Sequence, residues 1–191
     1  MASITIFGDG NMGTAIAGVA TAAGADVQTI TTVTPPATIE GDIVILSVPY
    51  PALASIAASY SPQLAGKIVV DITNPLDFQT FDALTVPLGS SAAAELAALL
   101  PEATVLKAFN TTFAATLATG VIGGLPTTVL VAGDDAEAKQ ALIGVIKAGG
   151  LDALDAGSLK RAHELEALGF LQLTLAAAGS VPWTGGFAVA K

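Results

Sequence analysis

The sequence predicts an α/β fold in which helices cover both faces of a doubly wound parallel sheet. Short β-rich segments alternate with helical segments along nearly the whole chain, as in repeated strand–helix–strand units. Residues 42–47 form an almost unbroken apolar run, typical of a strand buried on both faces of a parallel sheet. A glycine turn at residues 8–13 joins the first strand directly to the first helix. A length of 191 residues suits one core, so residues 1–191 are expected to form a single domain.

Four strands and two helices are predicted in the first half of the chain. β-branched residues mark the strands, and the helices start either at the glycine turn or with proline in the first turn. In chain order these elements are a strand at 3–7, a helix at 11–23, strands at 26–31 and 42–47, a helix at 51–59 and a strand at 67–71. Pro35 and Pro36 interrupt residues 32–41, so no long crossover helix is expected there.

The second half continues the alternation and ends in a long helix and a short apolar tail, residues 158–191. Ser91 and Asp134-Asp135 are suited to cap helices, because their side-chain oxygens accept bonds from the first free N–H groups. In chain order the predicted elements are a loop at 74–89, a helix at 91–100, strands at 104–108 and 127–131, a helix at 134–147, a short strand at 151–154 and a helix at about 158–178.

Composition argues against several classes of function. The sequence has no cysteine and one histidine, so neither thiol catalysis nor a metal site is expected. The net charge of −9 and the seven basic residues argue against nucleic acid as a partner. Gly, Pro and polar residues break the uncharged stretches 108–132 and 167–190, so we expect no membrane span. The first strand begins at residue 3 with no secretory signal before it, and a cytoplasmic protein is expected.

The glycines of the turn have separate predicted roles. Gly8 permits the tight turn, Gly10 lets backbone approach a phosphate, and Gly13 lets the helix pack closely on the strand. The free N–H groups and the positive end of the helix then face a bound anion. A sharp turn without a ligand is the alternative, but the strand before it and the helix after it favour a dinucleotide site of the Rossmann type. The predicted pyrophosphate-binding residues are Gly8, Asp9, Gly10, Asn11, Met12 and Gly13.

Five segments are expected on one rim of the sheet. In an open α/β sheet, ligands bind outside the carboxyl ends of the strands, near the point where strand order reverses. The segments that follow the five predicted parallel strands are 8–13, Thr31-Thr32, Ser47–Tyr50, Thr73–Pro75 and Phe109–Thr111. We therefore expect the binding residues of the protein to come from this rim.

The motifs on this rim resemble a known family. The glycine turn, the segments 46–49, 70–75 and 105–111, and the helix start 160–166 are together similar to the small NADP-binding oxidoreductases grouped with deazaflavin-dependent NADP reductases. They also resemble the cytosolic domain of six-transmembrane metalloreductases. The likeness covers nearly the whole chain, and it implies a dinucleotide-binding oxidoreductase.

The resemblance also implies a role for each rim segment. The glycine turn would hold the pyrophosphate, and the segment after the third strand would pack near the adenosine ribose. The segments after the fourth and fifth strands would frame the nicotinamide. Beyond the glycine turn, the implied cofactor-binding residues are Ser47, Val48, Pro49, Asn74, Pro75, Phe109 and Asn110. On sequence chemistry alone, Ser47–Pro49 can equally be a strand end and Asn74-Pro75 an ordinary turn.

The end of the second strand departs from the family pattern. An Asp or Glu there usually binds the ribose of NAD, and an Arg usually binds the 2′-phosphate of NADP. This chain has Thr31 and Thr32 at that position, and no Lys or Arg precedes Lys67. Hydroxyl groups can bind a phosphate without charge-assisted bonds. The family resemblance therefore predicts NADP as the cofactor, and the residues at this position leave NAD open as an alternative.

Two ionisable residues outside the glycine turn are candidates for a functional role. Lys107 lies at the end of a predicted buried strand, where it can meet a phosphate or carboxylate, but reaching solvent or pairing locally is the commoner outcome. His163 lies among Lys160, Arg161, Glu164 and Glu166, which is typical of a solvated helix face. Hydride transfer between two bound rings requires alignment more than a protein acid or base. No catalytic residue is therefore predicted.

The leading hypothesis is an NAD(P)H-dependent oxidoreductase that passes hydride to a planar acceptor, such as a flavin or deazaflavin. A small imine or keto-acid reductase of the pyrroline-carboxylate type is an alternative, although such enzymes usually have a larger helical C-terminal domain. A non-catalytic NAD(P)-binding sensor is another. Trp183 and Phe187 in the tail are open to three roles: a wall over the acceptor, a homodimer contact, or core packing. Because the apolar tail has little core of its own to enter, a homodimer is expected. The identity of the acceptor and any proton donor stay open.

Overall fold

Seven strands form one central sheet in the part of the chain that the computed structural model describes, residues 2–31 and 37–191. The strand order across the sheet is β2-β1-β3-β4-β5-β8-β9. The strands are β1 (Ser3–Phe7), β2 (Asp26–Ile30), β3 (Ile43–Leu46), β4 (Ile68–Asp71), β5 (Thr104–Lys107), β6 (Val121–Ile122), β7 (Leu125–Pro126), β8 (Thr128–Gly133) and β9 (Asp152–Gly157). β6 and β7 form a separate small hairpin.

The helices alternate with these strands along the chain as the sequence predicts, with α4 as an addition. They are α1 (Asn11–Ala22), α2 (Leu53–Leu64), α3 (Ala92–Leu99), α4 (Ala114–Thr119), α5 (Ala136–Ala148) and α6 (Ala162–Ala177). Short 3-10 turns at Tyr50–Ala52 and Leu159–Arg161 precede α2 and α6. Ser91 and Asp135 cap α3 and α5 as predicted, each accepting a bond from the backbone N–H three residues later.

The predicted fold class is confirmed, since the sheet is mostly parallel and lies between helices. β1, β2, β3, β4 and β5 pair in parallel throughout. The exception is β8, which runs antiparallel to β5, with Leu106 opposite Gly133 and Lys107 opposite Ala132. The chain between these strands contains α4 and the β6–β7 hairpin, neither of which was predicted, and it returns β8 in the opposite direction. A fully parallel sheet was therefore wrong at this one pairing.

The core is divided by the sheet, because successive strand residues point to opposite faces. On β3, Ile43 and Ile45 pack with α1 and α5 on one face. Val44 and Leu46 pack with α2 and α3 on the other. Within the described residues, none of the helices combines the length and the apolar character that crossing a membrane requires.

The strand order reverses between β1 and β3. β2 lies on one side of β1, and β3, β4 and β5 follow on the other. The carboxyl ends of β1 and β3 are therefore the point where a ligand binds in a sheet of this kind. Residues 32–36, which include Thr32, Pro35 and Pro36 and make up half of the predicted break before β3, lie outside the described residues.

Gly41 is predicted to be a packing position. A Cβ atom there would lie 2.4 Å from the backbone nitrogen of Thr5, in the middle of β1. Gly41→Ala should therefore destabilise the protein by about 1–3 kcal/mol through overpacking. In Gly144→Ala, on the exposed side of α5, the added methyl meets open space. This control should gain up to about 1 kcal/mol from helix propensity. Urea unfolding measures both, and equal midpoints for the two variants would contradict the packing role.

Candidate cofactor site

Two cavities meet at the glycine turn. The α2-side cavity has a volume of about 660 Å³ and lies between the ends of β1, β2 and β3 and helix α2. The α4-side cavity has a volume of about 930 Å³ and lies between α1, α4 and the ends of β4 and β5. Gly10 belongs to the first cavity and Asn11 to the second. A ligand that crosses the N-terminus of α1 can therefore enter both cavities.

The geometry of the turn explains why glycine stands at positions 8 and 13. Gly8 has φ +100°, and a Cβ atom there would lie 2.2 Å from the carbonyl oxygen of Ser47. A Cβ atom on Gly13 would lie 2.2 Å from the carbonyl oxygen of Gly8. The tight turn and the close helix packing expected of these residues are present. Cofactor binding by them stays a prediction.

Gly10 has space where Gly8 and Gly13 have none. It is the N-cap residue of α1 and has an extended backbone conformation. A Cβ atom built on Gly10 would have no described heavy atom within 4 Å beyond its own chain neighbours. No described side chain caps this helix end, and its first turn has no acidic residue. Backbone N–H groups at such a helix start bind anions, aided by the helix dipole. The cradle therefore fits a pyrophosphate.

The α2-side cavity is lined by apolar and hydroxyl-bearing side chains. Of the predicted cofactor residues it contains Gly8, Asp9, Gly10, Thr31, Ser47, Val48 and Pro49. Four polar residues that were not predicted also line it: Ser55, Ser59, Tyr60 and Gln63. They lie on α2, where Ser55, Ser59 and Gln63 recur every four residues, and this spacing is the signal that could have placed them on one helix face. Among the described lining residues, Asp9 alone carries a charge.

The α4-side cavity contains a bonded pair of asparagines. Asn74 donates from Nδ2 to the carbonyl oxygen of Asn110 at 2.8 Å, and Asn110 donates from Nδ2 to Oδ1 of Asn74 at 2.9 Å. Asn110 Nδ2 also donates to the carbonyl oxygen of Leu165. Its Oδ1 is buried and has no hydrogen-bond partner among the described residues. A buried amide oxygen of this kind suits a ligand N–H donor.

Gly169 of α6 makes the asparagine pair possible. A Cβ atom on Gly169 would lie 2.3 Å from Oδ1 of Asn74 and 2.8 Å from the carbonyl oxygen of Asn110. The sequence gives no sign of this role, because one glycine inside a helical segment carries little information without its partner.

The remaining predicted residues are placed less directly. Asn11 and Met12 line the α4-side cavity, whereas Gly13, Pro75 and Phe109 are buried and line neither cavity. Phe109 is 2% exposed and has φ +63°, a backbone conformation that bulky residues rarely adopt. The structure thus brings Asn74 and Asn110 to the cavity wall and keeps Pro75 and Phe109 behind them.

A buried charge cluster lies beneath the asparagines. Lys107 Nζ is 2.8 Å from Oδ2 of Asp71 and 2.8 Å from Oε1 of Glu166, and all three side chains are at most 1% exposed. Lys107 also donates to the carbonyl oxygen of Thr73 at 2.5 Å. Of the outcomes open for Lys107, local pairing is the one observed. These ionic side chains line neither cavity, so they act on the site by holding the ends of β4 and β5.

Glu166 corrects the expectation of a solvated helix face. Its carboxylate accepts bonds from the backbone N–H groups of Ala92 and Ala93, at the start of α3, as well as pairing with Lys107. Burial raises its pKa above the ordinary value, against the lowering effect of Lys107. His163 is half-buried, with Nδ1 3.0 Å from the carbonyl oxygen of Ser90. The segment predicted to be a solvated helix face therefore contains a buried carboxylate, Glu166, beside the exposed Glu164.

Tyr50 is the other perturbed group near the rim. Its hydroxyl donates to Oε2 of Glu95 at 2.5 Å. This bond and partial burial raise the pKa of Tyr50 to about 12, so the phenol stays protonated at physiological pH. Tyr50 lines neither cavity, and it is a structural donor.

Known proteins with similar sequences are oxidoreductases, some of them named for NADP. Residues 28–75 match the sequence model of the family described as "NADP oxidoreductase coenzyme F420-dependent". Over 133 residues the chain is 35% identical to the F420-dependent NADP reductase of Methanocaldococcus jannaschii, and the aligned segment covers 68% of this chain and 59% of that protein. Over 119 residues it is 40% identical to metalloreductase STEAP3 of Rattus norvegicus, covering 62% of this chain and 22% of that protein.

A solved structure extends the likeness to full length. The crystal structure of a candidate F420-dependent NADP reductase from Arthrobacter superposes with a TM-score of 0.86 at 26% identity, covering 100% of both chains. The predicted family resemblance is confirmed. The chain spans less than two thirds of the length of either curated relative. The names of these relatives describe oxidoreductases, which is the class that the sequence predicts.

The burial of Glu166 predicts a specific pH dependence. In the folded protein the pKa of Glu166 is raised above 4.5, the ordinary value that it has in the unfolded chain. Over a range of pH above 4.5, the folded protein therefore keeps a proton on Glu166 that the unfolded chain releases. The free energy of unfolding should therefore fall as pH rises through this window. Glu166→Gln should flatten this fall, while Glu164→Gln, on the exposed side of α6, should keep it. Urea unfolding across pH 4 to 8 measures the slopes, and identical slopes in all three proteins would rule this account out.

Removing the cation of the cluster should be costly. Lys107→Met leaves Asp71 and Glu166 buried without a counter-charge, and breaking a buried pair in this way costs about 3–5 kcal/mol. Lys147→Met, which removes an exposed lysine, is the matched control and should change stability by less than about 0.5 kcal/mol. Thermal and urea unfolding of both variants test the difference. A Lys107→Met protein as stable as the control would show that the cluster contributes nothing.

Proposed function

We propose that this chain is an NADPH-dependent oxidoreductase that transfers hydride between the nicotinamide and a planar acceptor, such as a flavin or deazaflavin. The observation that carries the proposal is the open glycine cradle at the point where the strand order reverses, with one cavity on each side. The curated relative from Methanocaldococcus jannaschii, named F420-dependent NADP reductase, supports both NADP and the deazaflavin class of acceptor.

The dinucleotide is proposed to extend across both cavities. Its pyrophosphate lies on the N–H groups at the start of α1, and its adenosine half occupies the α2-side cavity, against Val48 and Pro49. Its nicotinamide half enters the α4-side cavity, beside Asn74 and Asn110. The unpartnered Oδ1 of Asn110 is suited to accept a bond from the carboxamide N–H of the ring.

Recognition of the 2′-phosphate is proposed to depend on hydroxyl groups. Thr31, Ser55 and Ser59 line the α2-side cavity, where the adenosine ribose would lie. Hydroxyl bonds to a phosphate are weaker than those of an arginine, so the preference for NADPH over NADH should be smaller than in proteins with a cation at this position. Parallel calorimetric titrations with NADPH and NADH at one salt concentration measure this preference directly.

The nicotinamide supplies the hydride, and the protein is proposed to supply alignment. The asparagine pair fixes one wall of the α4-side cavity, and α1 and α4 form the other walls. Trp183 of the tail packs on Phe113 with ring centroids 5.0 Å apart, and both rings line the cavity. Of the roles open for the tail, a wall over the acceptor is the one that this contact favours. Trp183 remains 52% exposed, which also leaves room for the proposed homodimer contact.

Gly10→Ala separates cofactor binding from folding. Its backbone conformation suits alanine, and its Cβ position is open, so the variant should fold with unchanged stability. The added methyl would occupy the space through which a phosphate approaches the helix, and affinity for NADPH should fall at least about tenfold. Gly144→Ala on α5 is the matched control with unchanged affinity.

The outcomes of this titration distinguish the candidate functions. Wild-type affinity in Gly10→Ala would place the dinucleotide elsewhere. NADPH binding followed by its oxidation with an added flavin supports the enzyme, while binding with no turnover on flavin, deazaflavin, imine or keto-acid substrates favours a non-catalytic sensor. Absence of binding to either dinucleotide would reject the proposal.

A further inference from the structure

Asp9 lies at the carboxyl edge of the sheet, next to the end of β2. Phe7 pairs with Ile30, and the backbone N–H of Gly8 donates to the carbonyl oxygen of Ile30 at 2.9 Å. Asp9 and Thr31 follow these residues on two strands that are about 4.8 Å apart, so they are neighbours at this edge. Both line the α2-side cavity. A carboxylate therefore stands beside the position that contacts the adenosine ribose in a sheet of this kind.

The carboxylate of Asp9 is available to a ligand. Asp9 is exposed, and within residues 2–31 and 37–191 its side chain has no ion pair and no hydrogen bond. The hydroxyl of Thr14 donates to the backbone carbonyl oxygen of Asp9 at 3.1 Å, which holds the turn without engaging the carboxylate. The structure therefore gives this side chain no structural role of its own.

No cation offsets the charge of Asp9 in the described lining of the cavity. None of the seven basic residues of the sequence is among the lining residues. Residues 32–36, which follow β2 in the sequence, include no ionisable residue. The other polar side chains in the lining are five hydroxyls and one amide, all of them neutral. The side-chain charge around the expected position of the adenosine ribose is therefore negative.

We propose that Asp9 is a specificity-determining residue that limits the preference of this chain for NADPH over NADH. Its carboxylate accepts a hydrogen bond from the ribose 2′-hydroxyl of NADH and repels the 2′-phosphate of NADPH. The inference rests on the proposed function and explains why the margin between its two dinucleotides is narrow. Both dinucleotides have the same pyrophosphate, so any repulsion from that group cancels in the ratio of their affinities.

The exposure of Asp9 determines the size of the effect. A phosphate at this open edge keeps most of its hydration, so the repulsion is Coulombic and requires no desolvation. Salt screens exposed charges, with a Debye length of about 30 Å at an ionic strength of about 0.01 M and about 8 Å at about 0.15 M. The contribution of Asp9 is therefore severalfold at low salt and decreases as salt is added.

Asp9→Asn removes the charge and keeps the shape of the side chain, so the variant should fold as the wild type does. Calorimetric titration with NADPH and NADH gives both values of Kd at the two ionic strengths. At low salt the ratio of NADPH affinity to NADH affinity should be at least about threefold higher in Asp9→Asn than in the wild type. The difference should decrease at the higher ionic strength. An unchanged ratio, or a rise that is equal at both ionic strengths, would overturn the inference.

Asp26→Asn is the matched control for net charge. Asp26 is exposed at the first position of β2, at the opposite end of the strand from Thr31, and it does not line the α2-side cavity. The substitution changes the net charge of −9 by the same single unit. The affinity ratio should stay at the wild-type value. Equal rises in both variants would attribute the effect to net charge and refute a role for Asp9.

The same titrations separate this inference from the proposed function. If both dinucleotides bind and Asp9→Asn leaves their ratio unchanged, the inference fails and the proposed enzyme does not. A raised ratio without oxidation of either dinucleotide by an added flavin or deazaflavin supports the role of Asp9 and contradicts the enzyme. If neither dinucleotide binds to the wild type or to either variant, the proposed function fails and the inference fails with it.

Discussion

The buried cluster of Asp71, Lys107 and Glu166 is the interaction on which the rest of the site depends. It joins β4, β5 and α6 through two ionic contacts of 2.8 Å, in a place from which water is excluded. One ammonium between two carboxylates leaves an excess negative charge when all three are ionised. Backbone N–H groups at the start of α3 offset that charge, because the carboxylate of Glu166 lies at the positive end of the helix. Four elements are therefore held by one set of side chains, and none can shift alone without exposing a charge to an apolar interior.

The cluster determines the position of the asparagines through the backbone next to it. Lys107 donates to the carbonyl oxygen of Thr73, and Asp71 accepts from the N–H of the same residue, so both backbone polar groups of the residue before Asn74 are held. On α6, Gly169 follows Glu166 by three residues and lies on the same helix face, where it admits the amide of Asn74. One face of one helix thus supplies both the charge that holds the strand ends and the gap that the amide pair fills. Through these contacts α6 positions the asparagine pair that forms one wall of the α4-side cavity.

The features that could be predicted from the sequence are those that depend on residues close to one another in the chain. β-branched runs, the glycine turn and the capping residue Ser91 each depend on neighbours within a few positions, and these elements were predicted within a few residues. The antiparallel return of β8 depends on the path of α4 and its hairpin, and the uncharged stretch around them has too little periodicity to reveal a six-residue helix. Glu166 was hidden by charged neighbours such as Glu164, although its spacing from Ala162, Gly169 and Gln172 matches the buried face of α6. Partners distant in sequence, such as Gly169 and Asn74, give no local signal at all.

Phe109 shows what this arrangement implies for motion. Its left-handed backbone costs about 1–3 kcal/mol, and its carbonyl oxygen accepts both the N–H and the hydroxyl of Thr112, which turns the chain from β5 toward α4. Local opening would release that strain but would also expose a buried ring that belongs to the apolar core. The amide of Thr112 should therefore exchange its hydrogen only when the whole molecule unfolds, and the floor of the cavity behaves as part of the slowest-exchanging core.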